Sequence, residues 1–417
     1  MLHRERLHQI AQDLVRTPSE NMPPVGAETS CQEYVLAHFR RCGLQTEAYR
    51  PDEVEGIKDH RWYWPGRDYA GRYNVAGRRK GSGGGRSLIL SGHIDTVPAG
   101  SQPWTRGPFS GEIDGNRLYG RGANDMKAGV AMNLFVAEEL QRRGVVLQGD
   151  LLIETVVDEE FGGANGTLAG RVRGDVADGA IITEPSFLRV CPAQRGGRTA
   201  HITLRASGGV LTGGMFPSGV INALRFFLNE VDVFAAKRRA KVEVHPMYAA
   251  CADPVPVSIT KVTTGPWGFR EPITIPEECR IEMYWQMMPG ETQEEVEREF
   301  FAWLRSLAWK EPQLFPQEPA VELPIRWMPG SFTAAADPLV QAMCASASAV
   351  LGRAPEVAGI EGPCDLFLFH EFGMPALLWG PRGGNTHAAD EYVELDTLDL
   401  AAEALLDMVC RWCGVAD

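Results

Sequence analysis

No stretch of about 18 consecutive apolar residues, the least that a membrane-crossing helix needs, occurs in this sequence, although 44% of its residues are hydrophobic. The apolar content is split into short segments suited to packed cores, so no membrane partner is expected. A paired-cysteine framework is missing too: nine cysteines scatter from Cys31 to Cys413 without disulfide or zinc-ribbon spacing, as expected in a reducing compartment. Cys410 and Cys413 form one C-x-x-C, but it lies in the helical pattern ALLDMVCRWC, lacks a second pair and reads as core packing. Positive charge is scarce, with 41 Lys and Arg against 54 Asp and Glu and a net charge of −13. No basic cluster faces a patterned aromatic set, so nucleic acid is not an expected partner. The Gly-rich run from Arg78 to Arg86 (RRKGSGGGR) lacks the GK[ST] ending of a phosphate loop and precedes a strand instead of following one. It reads as a flexible, hairpin-like connection. The N-terminal MLHRERLHQIAQDLVR has helical spacing at Leu2, Leu7, Ile10 and Leu14 and no signal-peptide apolar stretch, which predicts a cytoplasmic protein.

A chain of 417 residues is long enough for two or three domains with substantial cores. After two amphipathic helical segments (about Leu2 to Arg16 and Glu28 to Cys42), strands and helices alternate as they do around a largely parallel sheet. The strand SLILSG is followed by a helix from about Lys127 to Arg143 and by strands near Asp150 to Val157 and Asp178 to Thr183. From about Arg195 the texture changes to the strand HITLRA, a helix at Gly219 to Phe234, strands near Val255 to Thr263 and Cys279 to Met287, and a helix at Thr292 to Leu307. That β-α-β-β-α order is that of a small ferredoxin-like sandwich inserted in the chain. A helix near Pro338 to Leu351, the strand PALLWG and a last helix from Asp396 restore the α/β pattern. The expected architecture is an α/β catalytic domain, residues 1–194 and 330–417, with a mostly parallel sheet flanked by helices, and an inserted α+β domain at 195–329.

Chemistry-bearing residues gather where these strands stop. In Leu90 to Pro98 (LSGHIDTVP), Gly92 and Pro98 bracket the passage from strand to loop, placing His93 and Asp95 at a carboxyl end, the edge where open α/β sheets bind ligands. An H-x-D pair suits a metal-bound imidazole oriented by a carboxylate, and alone it equally suits a satisfied polar pair at a loop. Four further stretches fall on the same edge: GRGANDMK with Asp125, VDEEFGG with Glu159 and Glu160, TEP with Glu184, and NTHAADE with His387. Two histidines and three carboxylates (His93, His387, Asp125, Glu160, Glu184) can hold two divalent ions if Asp125 bridges them, with a shared water titrating near pH 7. Zinc, cobalt and manganese all accept these ligands, zinc being the first candidate. Glu159 leaves the strand in a different direction from its neighbour Glu160, so it can reach that water as general base. The bland reading, that Asp158, Glu159 and Glu160 form a solvated turn, fits the run in isolation but not its company.

In this order SGHIDTVP, GRGANDMKAG, VDEEFGG, TEPS and THAADEY resemble the co-catalytic zinc aminoacylase, acetylornithine deacetylase, desuccinylase and glutamate carboxypeptidase family, and the resemblance spans essentially the whole chain. By position it implies that Asp125 bridges, that His93 and Glu184 complete one ion, that Glu160 and His387 complete the second, and that Asp95 orients His93. It also implies a cis peptide after Asp125 and a homodimer formed through the inserted lid. Two positions depart from the family pattern. Relatives usually carry a histidine that crosses to the partner's active site and helps hold the oxyanion; the register of GGVLTGGMFPSGVINA puts Thr212 there. Relatives commonly carry an arginine that grips a substrate carboxylate, where EMYWQMMPG has Gln286, which cannot form a charge-assisted bidentate clamp. His201, Arg195 and Arg198 are the possible substitutes.

The expected function is a metal-dependent amidohydrolase of the deacylase or deformylase type, cleaving an N-acyl amide of a small amine or amino acid with metal-bound hydroxide and Glu159. The alternative is a protein that keeps the metals but has lost ordinary hydrolysis and serves as a binding module or runs another reaction. Trp62, Tyr63, Trp64 and Tyr69 either line an aromatic-binding wall or pack on the catalytic domain.

Overall fold

The computed structural model describes residues 3–163, 165–210, 219–265, 267, 268, 271 and 274–416. They fall into two compact units, one built from Met1–Gln194, Phe332–Ile360 and Cys364–Asp417, the other from Arg195–Ser331 and Glu361–Pro363. No helix among the described residues is long and apolar enough to cross a membrane.

The first unit is organised on a sheet whose strands run in the order Val190–Gln194, Ala376–Leu378, Ala180–Ile182, Leu88–His93, Leu151–Val156, Asn74–Arg79 and Gln45–Tyr49. Its centre is parallel: Leu88–His93 pairs with Leu151–Val156 and with Ala180–Ile182, which continues into Ala376–Leu378. Antiparallel pairs add Asn74–Arg79 and Gln45–Tyr49 at one edge, so the sheet as a whole is mixed. Every residue of Leu88–His93 and Leu151–Val156 is buried, as parallel strands covered on both faces must be.

Helices supply that cover. Arg4–Arg16 buries Leu7, Ile10, Ala11, Leu14 and Val15, an apolar stripe at three- and four-residue spacing. Pro338–Leu351 starts at an Asp337 cap whose carboxylate accepts from Leu339 N at 2.8 Å. Ala128–Arg142 is buried on nearly all sides. A Cβ on its Gly129 would stand 1.8 Å from the Thr183 carbonyl oxygen, so only glycine lets this helix lie against the strand end that carries Glu184. One core joins Leu14, Phe39, Leu90, Phe135, Ile153, Trp379 and Leu405, with Cys413 buried in it and Cys410 packed against it as free thiols.

The Gly-rich connection is fastened, contrary to the flexibility its composition suggests. Gly81 N donates to Asp150 Oδ1 at 2.8 Å, Ser82 N to the Leu147 carbonyl at 2.9 Å, and Gly83 N to that of Gln148 at 2.8 Å. A small four-stranded sheet (Gly383–Gly384, Tyr392–Glu394, Arg117–Tyr119, Glu112–Asp114) ties the loop bearing His387 to the segment leading into Asp125.

The second unit places Val257–Thr264, Glu278–Met287, Gly196–Arg205 and Ala320–Glu322 side by side in that order, all antiparallel. With helices Gly219–Lys241 and Gln293–Lys310 between strands, the topology is ferredoxin-like. Gln293–Lys310 opens on a reciprocal Thr292–Glu295 capping box, and its Phe300 stacks on Trp285 of the sheet at 4.7 Å.

Candidate metal centre

His93 ends its strand and turns Nε2 toward two carboxylates, 3.0 Å from Asp125 Oδ1 and 3.5 Å from Glu184 Oε1. Its Nδ1 lies 3.0 Å from the Asp95 main-chain carbonyl and 3.7 Å from the Asp95 carboxylate. A carbonyl only accepts, so the proton sits on Nδ1 and the Nε2 lone pair faces the acids in the neutral ring. The main chain of Asp95 therefore makes the hydrogen bond that its carboxylate was expected to make. The carboxylate instead accepts from the backbone N–H groups of Glu159 and Glu160, at 3.1 Å each.

Asp125 sits in a wide turn ahead of helix Ala128–Arg142, outside helical backbone angles, and its bond to Met126 is cis. Its second oxygen, Oδ2, lies 3.3 Å from His387 Nε2, which is also 3.0 Å from Glu160 Oε2. His387 holds a left-handed backbone (φ 62°) in a loop fastened by Asp390, whose carboxylate accepts from Thr105 N at 2.9 Å. A non-glycine residue there is uncommon and costly, and such positions concentrate at functional sites. Single donor atoms of His93, Asp125 and Glu160 all lie within 4.8 Å of one another.

The electrostatics are those of a site short of positive charge. Burial, reinforced by Asp125, raises Glu184 well above the usual carboxylate range. Burial and then Asp365 do the same to Glu159. Glu160 is pushed to about 7 by burial and by Asp125. Burial disfavours charged imidazoles, yet Glu184 and Asp125 hold His93 well above its ordinary value, and Asp125 and Glu160 hold His387 up to about 11. Asp125 is lowered because both imidazoles outweigh its desolvation. Two imidazoles and three carboxylates are the donor set of zinc, cobalt or manganese, and their arrangement on both sides of Asp125 fits a pair of divalent cations.

Three polar groups around the centre went unassigned from sequence. Glu391, 1% exposed, accepts through Oε1 from the N–H groups of Asn124 (3.0 Å) and Asp125 (3.1 Å) and through Oε2 from Arg121 Nη1 (2.6 Å). Asn21 donates to the Asp95 carboxylate at 2.8 Å. Asp365, which accepts from the Thr167 hydroxyl, is buried close enough to Glu159 and Glu184 to raise both. Only the NTHAADE motif gave any signal, by ending in Glu391.

Of the positions where the chain departs from the family pattern, Thr212 lies outside the described residues. Gln286 is buried, donates through Nε2 to the Tyr284 hydroxyl at 3.0 Å, and leaves Oε1 without a partner among the described residues. Arg195 gives its guanidinium to the carbonyls of Glu361, Asp253 and Pro254, and Arg198 to the Ile325 carbonyl and Glu297. His201 pairs with Glu282 at 3.0 Å. The aromatic loop packs inward: Trp62 meets Phe367 edge-on at 5.0 Å, and Trp62 and Tyr63 pack on Ile57, Leu168 and Leu368.

Residues 89–411 match the model of peptidase family M20/M25/M40. The N-formyl-4-amino-5-aminomethyl-2-methylpyrimidine deformylase of Bacillus subtilis (strain 168) is 24% identical over 440 residues, taking in 99% of this chain and 96% of that protein. Human carnosine dipeptidase 1 matches with a TM-score of 0.76 at 13% identity, covering 99% of this chain and 96% of that one. The Bacillus subtilis YXEP protein, a dinuclear metal binding peptidase, matches at 0.61 and 15% identity, covering 97% of each.

Proposed function

The chain belongs to peptidase family M20/M25/M40, and from that premise we propose that this hydrolase removes a formyl or other small acyl group from the nitrogen of a small, uncharged amine, heteroaromatic amines first. The observation that carries the reading is Asp125, one carboxylate oxygen toward His93 and the other toward His387, with Glu159 Oε2 4.0 Å from His93 Nε2. Two divalent ions, zinc first with cobalt or manganese as alternatives, would be held by Asp125 as bridge, by His93 and Glu184, and by Glu160 and His387, and would supply Lewis acidity that acidifies water and polarises an amide carbonyl. Glu159 takes the proton of the attacking water and returns it to the departing nitrogen. Burial, and then Asp365, raise its pKa above the ordinary carboxylate range, which strengthens it as a proton acceptor.

The substrate class rests on Gln286 and its neighbours. Gln286 stands where relatives commonly carry an arginine and cannot form a charge-assisted bidentate clamp on a carboxylate, and the guanidinium groups of Arg195 and Arg198 are committed to partners in their own unit. The deformylase relative, named for an N-formyl aminopyrimidine, supports the heteroaromatic choice. We add a cytoplasmic location and a homodimer through the inserted unit, whose Val257–Thr264 edge strand is largely exposed.

The test is a hydrolysis panel. N-formyl-4-amino-5-aminomethyl-2-methylpyrimidine, other N-formyl heteroaromatic amines, N-acyl amino acids and their carboxamides are offered to protein loaded with zinc, cobalt or manganese. The uncharged formamides should give the highest kcat/KM, and Gln286→Arg should shift preference toward free acids. A wild type favouring the free acid about a hundredfold over its carboxamide, about 2.7 kcal/mol, would show that another cation grips a carboxylate and would sink the substrate assignment.

A further inference from the structure

The residue immediately before the base, like His387, is a non-glycine in the left-handed region. Asp158 holds a left-handed backbone (φ 69°), and its side chain is fully buried. No glycine is there to make that conformation easy, so the surroundings must hold it. They do so from a distant loop, the aromatic run HRWYWPGRDYAGRY. Arg67, its side chain 4% exposed, forks onto Asp158: Nε donates to Oδ2 at 2.9 Å and Nη2 donates to Oδ1. The Tyr69 hydroxyl donates to the same Oδ2 at 2.6 Å.

The grip continues into the metal centre. Asn21 receives Arg67 Nη2 on its Oδ1 at 3.0 Å and divides its Nδ2 between Asp158 (2.9 Å) and Asp95 (2.8 Å). Asp95 in turn accepts the Glu159 and Glu160 amides, one on each oxygen. On the far side the Arg67 guanidinium lies over the Phe161 ring at 6.0 Å and the Trp64 ring at 5.7 Å. Trp64 is itself locked by a reciprocal pair of 2.8 Å hydrogen bonds with Asn165. The turn that aims Glu159 and Glu160 is thus held at its start by the bidentate, charge-assisted fork of Arg67, with Arg72 Nη2 a second cation 3.3 Å from Asp158 Oδ1, and at its end by ring contact from Arg67.

We propose that Arg67 is a positioning residue for hydrolysis: through Asp158 it fixes the left-handed turn that directs Glu159 toward the attacking water and Glu160 toward its metal. This rests on the amidohydrolase reading above. Rotation at Asp158 would swing both glutamates, and a displacement of about 1 Å at a reacting group is enough to cost about a hundredfold in rate.

The experiment compares zinc-loaded wild type, Arg67→Ala, Arg67→Lys and Tyr69→Phe, measuring metal content, unfolding, kcat and KM with N-formyl-4-amino-5-aminomethyl-2-methylpyrimidine. Arg67→Ala should lose about a hundredfold in kcat with KM within about threefold. Arg67→Lys, which keeps the charge but not the fork, should recover part of the loss. Tyr69→Phe should lie between it and wild type. A folded Arg67→Ala with kcat within twofold of wild type overturns the proposal, as does a loss that excess zinc fully restores. If Arg67→Ala does not fold, wild-type kcat in both Arg67→Lys and Tyr69→Phe overturns it. A wild type inactive on the whole panel sinks the hydrolase reading instead. Crystal structures of the same variants then decide the positioning: a displaced Glu159 with Asp158 out of the left-handed region supports it, and an unmoved turn overturns it.

Discussion

Replacing Glu391 by glutamine isolates the contribution of a residue outside the proposed ligand set that frames the proposed bridging ligand, Asp125. Its carboxylate has one oxygen for two backbone amides, at Asn124 and Asp125, and the other for Arg121 Nη1. An amide has one acceptor oxygen, so Glu391→Gln must either turn its NH2 toward the two backbone N–H groups or point it at the guanidinium. Either choice sets donor against donor in a place where Arg121 and Glu391 are each 1% exposed. Breaking a buried ion pair costs about 3–5 kcal/mol, and the Trp104 ring, 5.2 Å from the Arg121 guanidinium, cushions only the residual charge. Unfolding in urea should therefore show a loss of about 3–5 kcal/mol. Because the lost bonds orient Asp125, zinc affinity measured by chelator competition should fall about 10- to 100-fold. A Glu391→Gln protein with wild-type zinc affinity and a stability change below about 0.5 kcal/mol, the size of an ordinary surface substitution, would refute the reasoning.

Three further outcomes are expected. Glu159→Gln should keep its metals and fold while turnover drops at least about a hundredfold; loss of metal in that variant would mean that Glu159 is a ligand. Asp125→Ala should bind clearly less zinc per chain than the wild type by metal analysis, and unchanged occupancy would remove the bridging assignment. Burial lowers His38 to about 4, so the folded protein stays neutral there while the unfolded chain takes up a proton below about 6.5. The stability this group contributes is present above pH 6.5 and is lost as pH falls toward 4, by about 2 kcal/mol between pH 7.5 and 5. The stability difference between wild type and His38→Gln should shift by that amount over the range, and parallel pH profiles would contradict it.

The residues proposed for the metal site were legible as candidates because each carries a local signature: a polar residue just past a buried strand, or a carboxylate opening a helix. His93 after SLIL and Glu184 after the Asp178 to Thr183 segment are placed by hydrophobic runs that only a covered strand explains. The helices expected near Pro338 to Leu351 and at Thr292 to Leu307 were equally plain, since caps and periodicity act within one turn. Gln45–Tyr49 was not, because QTEAY has no apolar alternation and becomes a strand only by pairing with Asn74–Arg79.

The sequence by itself determined the order of elements, the inserted unit and the residue types at each strand end, all of which follow from periodicity and turn chemistry along a few residues. Tertiary structure alone decided which distant groups hold those ends in place. Asn21 reaches Asp95 and Asp158 across 74 and 137 residues, Arg67 crosses 91 to Asp158, and Glu391 returns across 266 to the Asp125 amide. A buried donor or acceptor must find a partner, but its identity depends on what packing brings within about 3 Å, and no local pattern in the chain records that.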